Sequence, residues 1–141
     1  MQHKPLSLFQ VLACGAATVT LSMGIRHGFG LWLQPVTQSQ GWGRQEFAMA
    51  MAIQNLSWGF MGIFAGMLAD KFGAFRVITL GAVLYALGLV GMSQAQTPWM
   101  FALFTGLVIG TAQAGTTYAV IYGVIGRNVP AERRSWAMGI A

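Results

Sequence analysis

Four long apolar runs, at roughly 8–33, 47–69, 75–92 and 99–124, constrain this chain more than any other feature, because most of its charged residues fall outside them. At about 1.5 Å per residue, each run is long enough, or nearly so, to cross a hydrocarbon core of about 30 Å as a helix. Only 8% of the residues are charged, against about a quarter in soluble domains, too few to cover a water-facing surface. A soluble globular domain, a disordered chain and a disulfide scaffold are all excluded, the last because Cys14 has no second cysteine to pair with. The composition predicts an all-α polytopic membrane protein. A fifth apolar stretch, 135–141, spans about two helical turns, far short of a crossing. The chain therefore reads as four complete transmembrane helices and the start of a fifth, the N-terminal part of a longer protein.

Pro5, Pro35, Pro98 and Pro130 fall at or outside the ends of these runs, where a helix need not donate the missing N–H. The basic residues set the orientation. Lys4 precedes the first run, Lys71 and Arg76 lie between the second and third, and Arg127, Arg133 and Arg134 follow the fourth, all on one side. The other side has Arg44 alone, so the positive-inside rule puts the amino terminus in the cytoplasm, as for a multi-pass protein of the inner membrane. The net charge of +5 is thus topological: the cations form no basic helix interleaved with aromatics, which excludes a nucleic-acid partner. The stretch up to Cys14 is too short for a lipoprotein signal, and the Asn55-Leu56-Ser57 sequon lies inside a span.

Helix faces carry the next layer. In the second run Ala48, Ala52, Asn55, Gly59, Gly62 and Gly66 recur at spacings of three and four and form one stripe of small side chains. Such a stripe admits a close helix neighbour, with Asn55 able to bond across the contact. Gly106 and Gly110 extend the same packing expectation to the fourth run, which then turns polar at Gln113 and Thr117 and aromatic at Tyr118 and Tyr122. Gln113 and Thr117 are one turn apart and are candidates to line an aqueous cavity with Tyr118, unless the threonine hydroxyls bond back to their own helix.

Arg26 is the most informative residue of the first run. Counted back from Leu33 it lies roughly 10 Å inside the helix end, too deep for a loop charge, and no acid inside any run is available to neutralise it. Its counter-charge is an anionic substrate or a carboxylate elsewhere; the plain alternative is that it snorkels to the headgroups. His27 is the weaker neighbour, since adjacent helical residues point about 100° apart.

The gap between the second and third runs reads Gly66-Met67-Leu68-Ala69-Asp70-Lys71-Phe72-Gly73-Ala74-Phe75-Arg76. It resembles the signature loop of the major facilitator superfamily, Gly-x-Leu-Ala-Asp-basic-x-Gly followed by basic residues, and it occupies the matching topological position. Ala74 and Phe75 stand where the family usually has a basic pair. The stretches 24–30, 110–118 and 127–134 are further similar to the monocarboxylate and oxalate-formate exchanger branch, whereas Gly106 stands near where many drug-proton antiporters carry an arginine. The resemblance implies twelve spans in two six-helix halves, a substrate held between them at mid-membrane, and a secondary active transporter, antiporter or symporter, of a small organic anion. It also implies a conformational-switch loop of Gly66, Asp70, Lys71, Gly73 and Arg76, with Asp70 set against a helix start in the other half. Arg26, His27, Gln113, Thr117 and Tyr118 would be the substrate contacts on this side, and Asn55, Gly59, Gly62, Gly106 and Gly110 the packing positions. Its partners would be the substrate, the lipid bilayer and the missing remainder of the transporter.

No catalytic or metal-binding set is present in the sequence, with two histidines, one cysteine and three acids in all, so neither an enzyme activity nor a cofactor is expected. The rival of another class is a stand-alone small membrane protein, an oligomeric exporter or an assembly factor, or else an inactive remnant. The incomplete fifth stretch and the signature loop count against it. Half a cavity offers no alternating access, so the 141 residues are not expected to transport by themselves.

Overall fold

Two glycines with positive φ set the first corners of the fold: Gly41 (φ +69°) between α1 and α2, and Gly73 (φ +91°) between α2 and α3. Only glycine enters this region without strain, and Gly73 does so as the single residue between two helices, its N–H bonded 3.0 Å from the Ala69 carbonyl. The computed structural model describes residues 8–140; His3, Lys4, Pro5 and Ala141 lie outside the described residues. In order, α1 (Leu8–Gln40), α2 (Arg44–Phe72) and α3 (Ala74–Ser93) are followed by a fourth segment, Pro98–Asn128, and by α7 (Ala131–Ile140). Four of these stretches are long and apolar enough to cross a membrane.

The fourth segment is not one helix, as its apolar run predicts, but four pieces. It comprises α4 (Pro98–Phe101), a π-helical stretch (Ala102–Val108), α5 (Ile109–Thr116) and α6 (Tyr118–Asn128), the last two separated by an extended Thr117. Thr97 caps its start, its hydroxyl accepting from the Met100 N–H, with Pro98 in the first turn where no N–H is needed. This segment is the axis of the bundle. Ile109, Gly110 and Ala112 to Thr117 are buried against α1, α2 and α3, while Leu56, Phe60, Ile63, Leu80 and Leu87 of α2 and α3 face outward.

Two expectations are corrected here. Pro35 is not outside the first helix: α1 continues seven residues past Leu33 with the proline inside it. The proline withholds a single bond, the one to the Leu31 carbonyl, and the helix carries on past it, with the Thr37 hydroxyl donating to the Leu33 carbonyl at 2.6 Å in the next turn. As a result Arg26 lies about 21 Å from the helix end, near its middle, rather than one or two turns inside. The second correction concerns the face of α2. Its buried residues are Phe47, Ala50, Gln54, Ser57, Ala65 and Ala69, a row with the expected periodicity but rotated away from the small-residue stripe. Gly59 and Gly62 have no atom of another element within 4 Å of where a side chain would begin, so they pack against nothing among the described residues.

Gly106 and Gly110 do meet α2. A Cβ on Gly110 would stand 2.7 Å from the Gln54 carbonyl oxygen, and one on Gly106 would stand 3.1 Å from that of Ala50. Backbone-to-backbone approach of this kind needs glycine.

Candidate functional site

Arg26 and His27 of α1 face Met51, Gln54 and Asn55 of α2 across an open cavity of about 290 Å³, floored by Phe29 and Phe47. A larger cavity of about 390 Å³ between α2, α3 and α5 is lined almost wholly by carbon, with Phe60, Phe64 and Leu80 at its mouth. It offers no recognition chemistry, so the polar cavity is the candidate site.

Arg26 is partnered there by neutral groups only. Its Nη2 donates to Asn55 Oδ1, and its guanidinium carbon sits 4.6 Å from the centre of the Trp58 ring. Asn55 is held in turn by donating from Nδ2 to the Met51 carbonyl at 2.9 Å. Among the described residues the one ion pair is Asp70 with Arg127, at an end of the bundle, so no carboxylate neutralises Arg26. A cation fixed by an amide and an aromatic face keeps its charge available to an anion, which guanidinium binds through paired N–H donors.

The other residues expected in the cavity lie elsewhere. Gln113 and Thr117 are fully buried in the bundle and do not reach the cavity wall. Thr117 Oγ1 donates back to the Gln113 carbonyl at 2.8 Å and accepts from Trp58 Nε1 at 2.9 Å. The same tryptophan therefore touches Arg26 with its ring and the helix break with its N–H. Gln113 shows neither amide atom with a hydrogen-bond partner. Tyr118 is exposed and packs on Tyr122 with ring centres 5.4 Å apart. His27, in contrast, shares the cavity with Arg26, even though the two are adjacent on the helix.

At the other end, Asp70 of the signature loop bonds Arg127 of α6 rather than Lys71 or Arg76, the local partners its sequence neighbours offered. Lys71 lies 5.4 Å from the ring of Phe72, and Arg76 is exposed in the first turn of α3. Gly66 has open space around it, and Gly73 makes the turn. Among the described residues no group of three or more His, Cys, Asp or Glu could hold a metal ion.

Sequence reasoning missed Gln54, Trp58, Ser22 and Thr105. Ser22 and Thr116 join α1 to α5 through their hydroxyls at 3.0 Å, and Gln54 Nε2 donates to the Thr105 carbonyl at 3.1 Å. Gln54 was findable, since a glutamine inside an apolar span must bond to something.

Comparison with known proteins agrees with this architecture. The family model described as Major Facilitator Superfamily matches residues 12–141. The chain is also 34% identical over 67 residues to "Multidrug resistance protein MdtH" of Yersinia pestis (strain Pestoides F), and to the protein of that name in Yersinia pseudotuberculosis serotype O:1b (strain IP 31758). Each match covers 48% of this chain and 17% of the relative. The similarity reaches the superfamily and not the exchanger branch.

Proposed function

The chain belongs to the Major Facilitator Superfamily, and on that premise we propose that it is the N-terminal part of a secondary active transporter for a small organic anion such as a monocarboxylate. The bilayer is its environment, and the remainder of the transporter completes the cavity and alternates access with it. The relatives' greater length supports this division. Positive residues gathered at one end support a cytoplasmic amino terminus in the inner membrane, with Gly66, Asp70, Lys71, Gly73 and Arg76 as the switch loop on that side.

One observation carries the choice of an anion: Arg26 sits deep in α1, in a polar cavity, without a carboxylate partner among the described residues. His27 shares the cavity with it, and a carboxylate would supply the missing charge. A lipophilic drug is the second reading, favoured by the name the relatives carry and by Trp58, Phe29 and Phe47 around the site.

The test uses the complete gene product in proteoliposomes, with radiolabelled oxalate and lactate set against a lipophilic cationic dye. Carboxylate uptake is expected, and Arg26→Gln should lower it at least tenfold, about 1.4 kcal/mol, with the folded yield unchanged. Dye transport that survives Arg26→Gln would establish the drug reading instead. Equal loss of yield and uptake would make Arg26 a structural partner of Asn55 and Trp58.

A further inference from the structure

Gln54 is the cavity-lining residue whose side chain bonds the backbone of the fourth segment, and it does so inside the π-helical stretch. In an α-helix the Thr105 carbonyl would accept from the N–H of Ile109, four residues on. Here the Ile109 N–H donates to the carbonyls of Phe104 and Gly106, five and three residues back, and passes over Thr105. Gln54 Nε2 supplies the bond that Ile109 withholds. Winding of this kind is rare, collects at functional sites and persists only where the surroundings support it.

The neighbouring groups show that this arrangement leaves polar atoms unserved. Among the described residues the Thr105 hydroxyl is buried without a partner, as is the whole Gln113 amide two turns further on. In a membrane interior such groups are costly, so this winding is held against an energetic penalty. The segment then breaks at Thr117, whose hydroxyl is tied to the Gln113 carbonyl before it and to the Trp58 N–H, so α6 is carried with α5.

We infer that Gln54 is a positioning residue that couples occupancy of the Arg26 cavity to the winding of the fourth segment, an inference that rests on the anion reading above. A carboxylate bound to Arg26 competes for the Gln54 amide. When the amide turns to the carboxylate, the Thr105 carbonyl takes the Ile109 N–H and the π-helical stretch rewinds as α-helix. A one-residue change of register turns everything beyond it by about 100° and moves each Cα on the order of 3 Å.

The test measures distances between spin labels in the complete gene product in lipid nanodiscs, on a Cys14→Ala background. One pair, at the exposed positions Leu80 and Ala119, spans the π-helical stretch and the break; a second, at Val90 and Trp99, lies before them. Gln54→Met removes the donor at similar length, and Gln54→Leu serves as a second variant should that one misfold. Both are expected to shift the first distance by about 3 Å without any ligand and to leave the second unchanged. Saturating oxalate or lactate should produce the same shift in the unmodified protein, and Arg26→Gln should abolish the ligand's effect but not that of Gln54→Met. No shift in a folded Gln54 variant would overturn the inference, whatever the substrate. A shift with Gln54→Met but none with either carboxylate would leave the clamp standing and count against the anion. Change at both pairs would mean general loosening and would also overturn it.

Discussion

α3 and the fourth segment lie against each other, yet one is regular throughout and the other departs from α-helix twice in sixteen residues. α3 buries a single seam, Val77, Gly81, Tyr85, Gly88 and Met92, and turns its other faces outward. A backbone facing lipid finds no donor or acceptor outside its own helix, so α3 cannot release a single hydrogen bond. The fourth segment turns Leu103 and Leu107 of its π-helical stretch outward, but on its inner faces the neighbouring helices bring Gln54, Ser22 and Trp58 to it. Irregularity here goes with polar neighbours on the buried face, because a helix in a membrane can give up a bond only where another side chain serves it.

The sharpest way to break this comparison is to deny the fourth segment its close neighbour. In Gly110→Ala the added Cβ would stand 2.7 Å from a backbone oxygen and 2.9 Å from the Ser57 Cβ, with no flexible side-chain end to give way. A cost of about 3 kcal/mol is expected, read as a fall in thermal stability and folded yield in detergent. Gly62→Ala meets nothing within 4 Å and should leave both unchanged or slightly raised, since alanine favours the helix. Equal losses would mean that α2 does not use the face the structure gives it.

That pair also shows how far the fold could be read from the sequence. Helix number came directly from run length, and the corner at Gly73 from the signature loop, because bilayer thickness and glycine's freedom are local or universal constraints. The phase of α2 did not come. Its small-residue stripe and its buried row share one periodicity, and only the position of the fourth segment tells them apart. The site was legible to the same degree. Arg26 was visible because a cation in an apolar run has to be explained, but Gln113 and Thr117 point into the bundle, which no count along their own helix reveals. The π-helical stretch has no proline, and Thr105 alone is polar in it; the side chain that bonds its carbonyl, Gln54, is fifty-one residues away.

A smaller effect of opposite sign sharpens the comparison. If the fourth segment sacrifices stability to keep polar groups inside, replacing one with carbon should stabilise it. Gln113→Leu is close in volume and removes an amide whose two polar atoms show no partner. It is expected to raise stability by about 1–2 kcal/mol while lowering transport by the complete protein. Thermal unfolding and uptake measured on the same preparation would check both signs. Loss of stability would show that the amide is already served in the membrane, by water for instance, and that the unserved row is no reserve.

The smallest effect concerns the end of the bundle, where the fourth segment and α3 differ in one charge contact. Arg127 of α6 pairs with Asp70, whereas Arg76 at the start of α3 makes no ion pair among the described residues. Both members of the pair are substantially open to solvent, so their attraction is screened and worth less than about 1 kcal/mol. Arg127→Gln should therefore cost a few tenths of a kcal/mol, and Arg76→Gln nothing measurable. The difference should vanish near 1 M salt, where the screening length falls to about 3 Å. Reversing the pair, as Asp70→Arg with Arg127→Asp, should restore stability at low salt if attraction between these two groups is all that they contribute. It should not restore transport if Asp70 also meets the second half of the transporter, because an arginine would then face the helix start that a carboxylate suits. Stability regained without transport would place the work of Asp70 outside this bundle, and regaining both would confine it to α2 and α6.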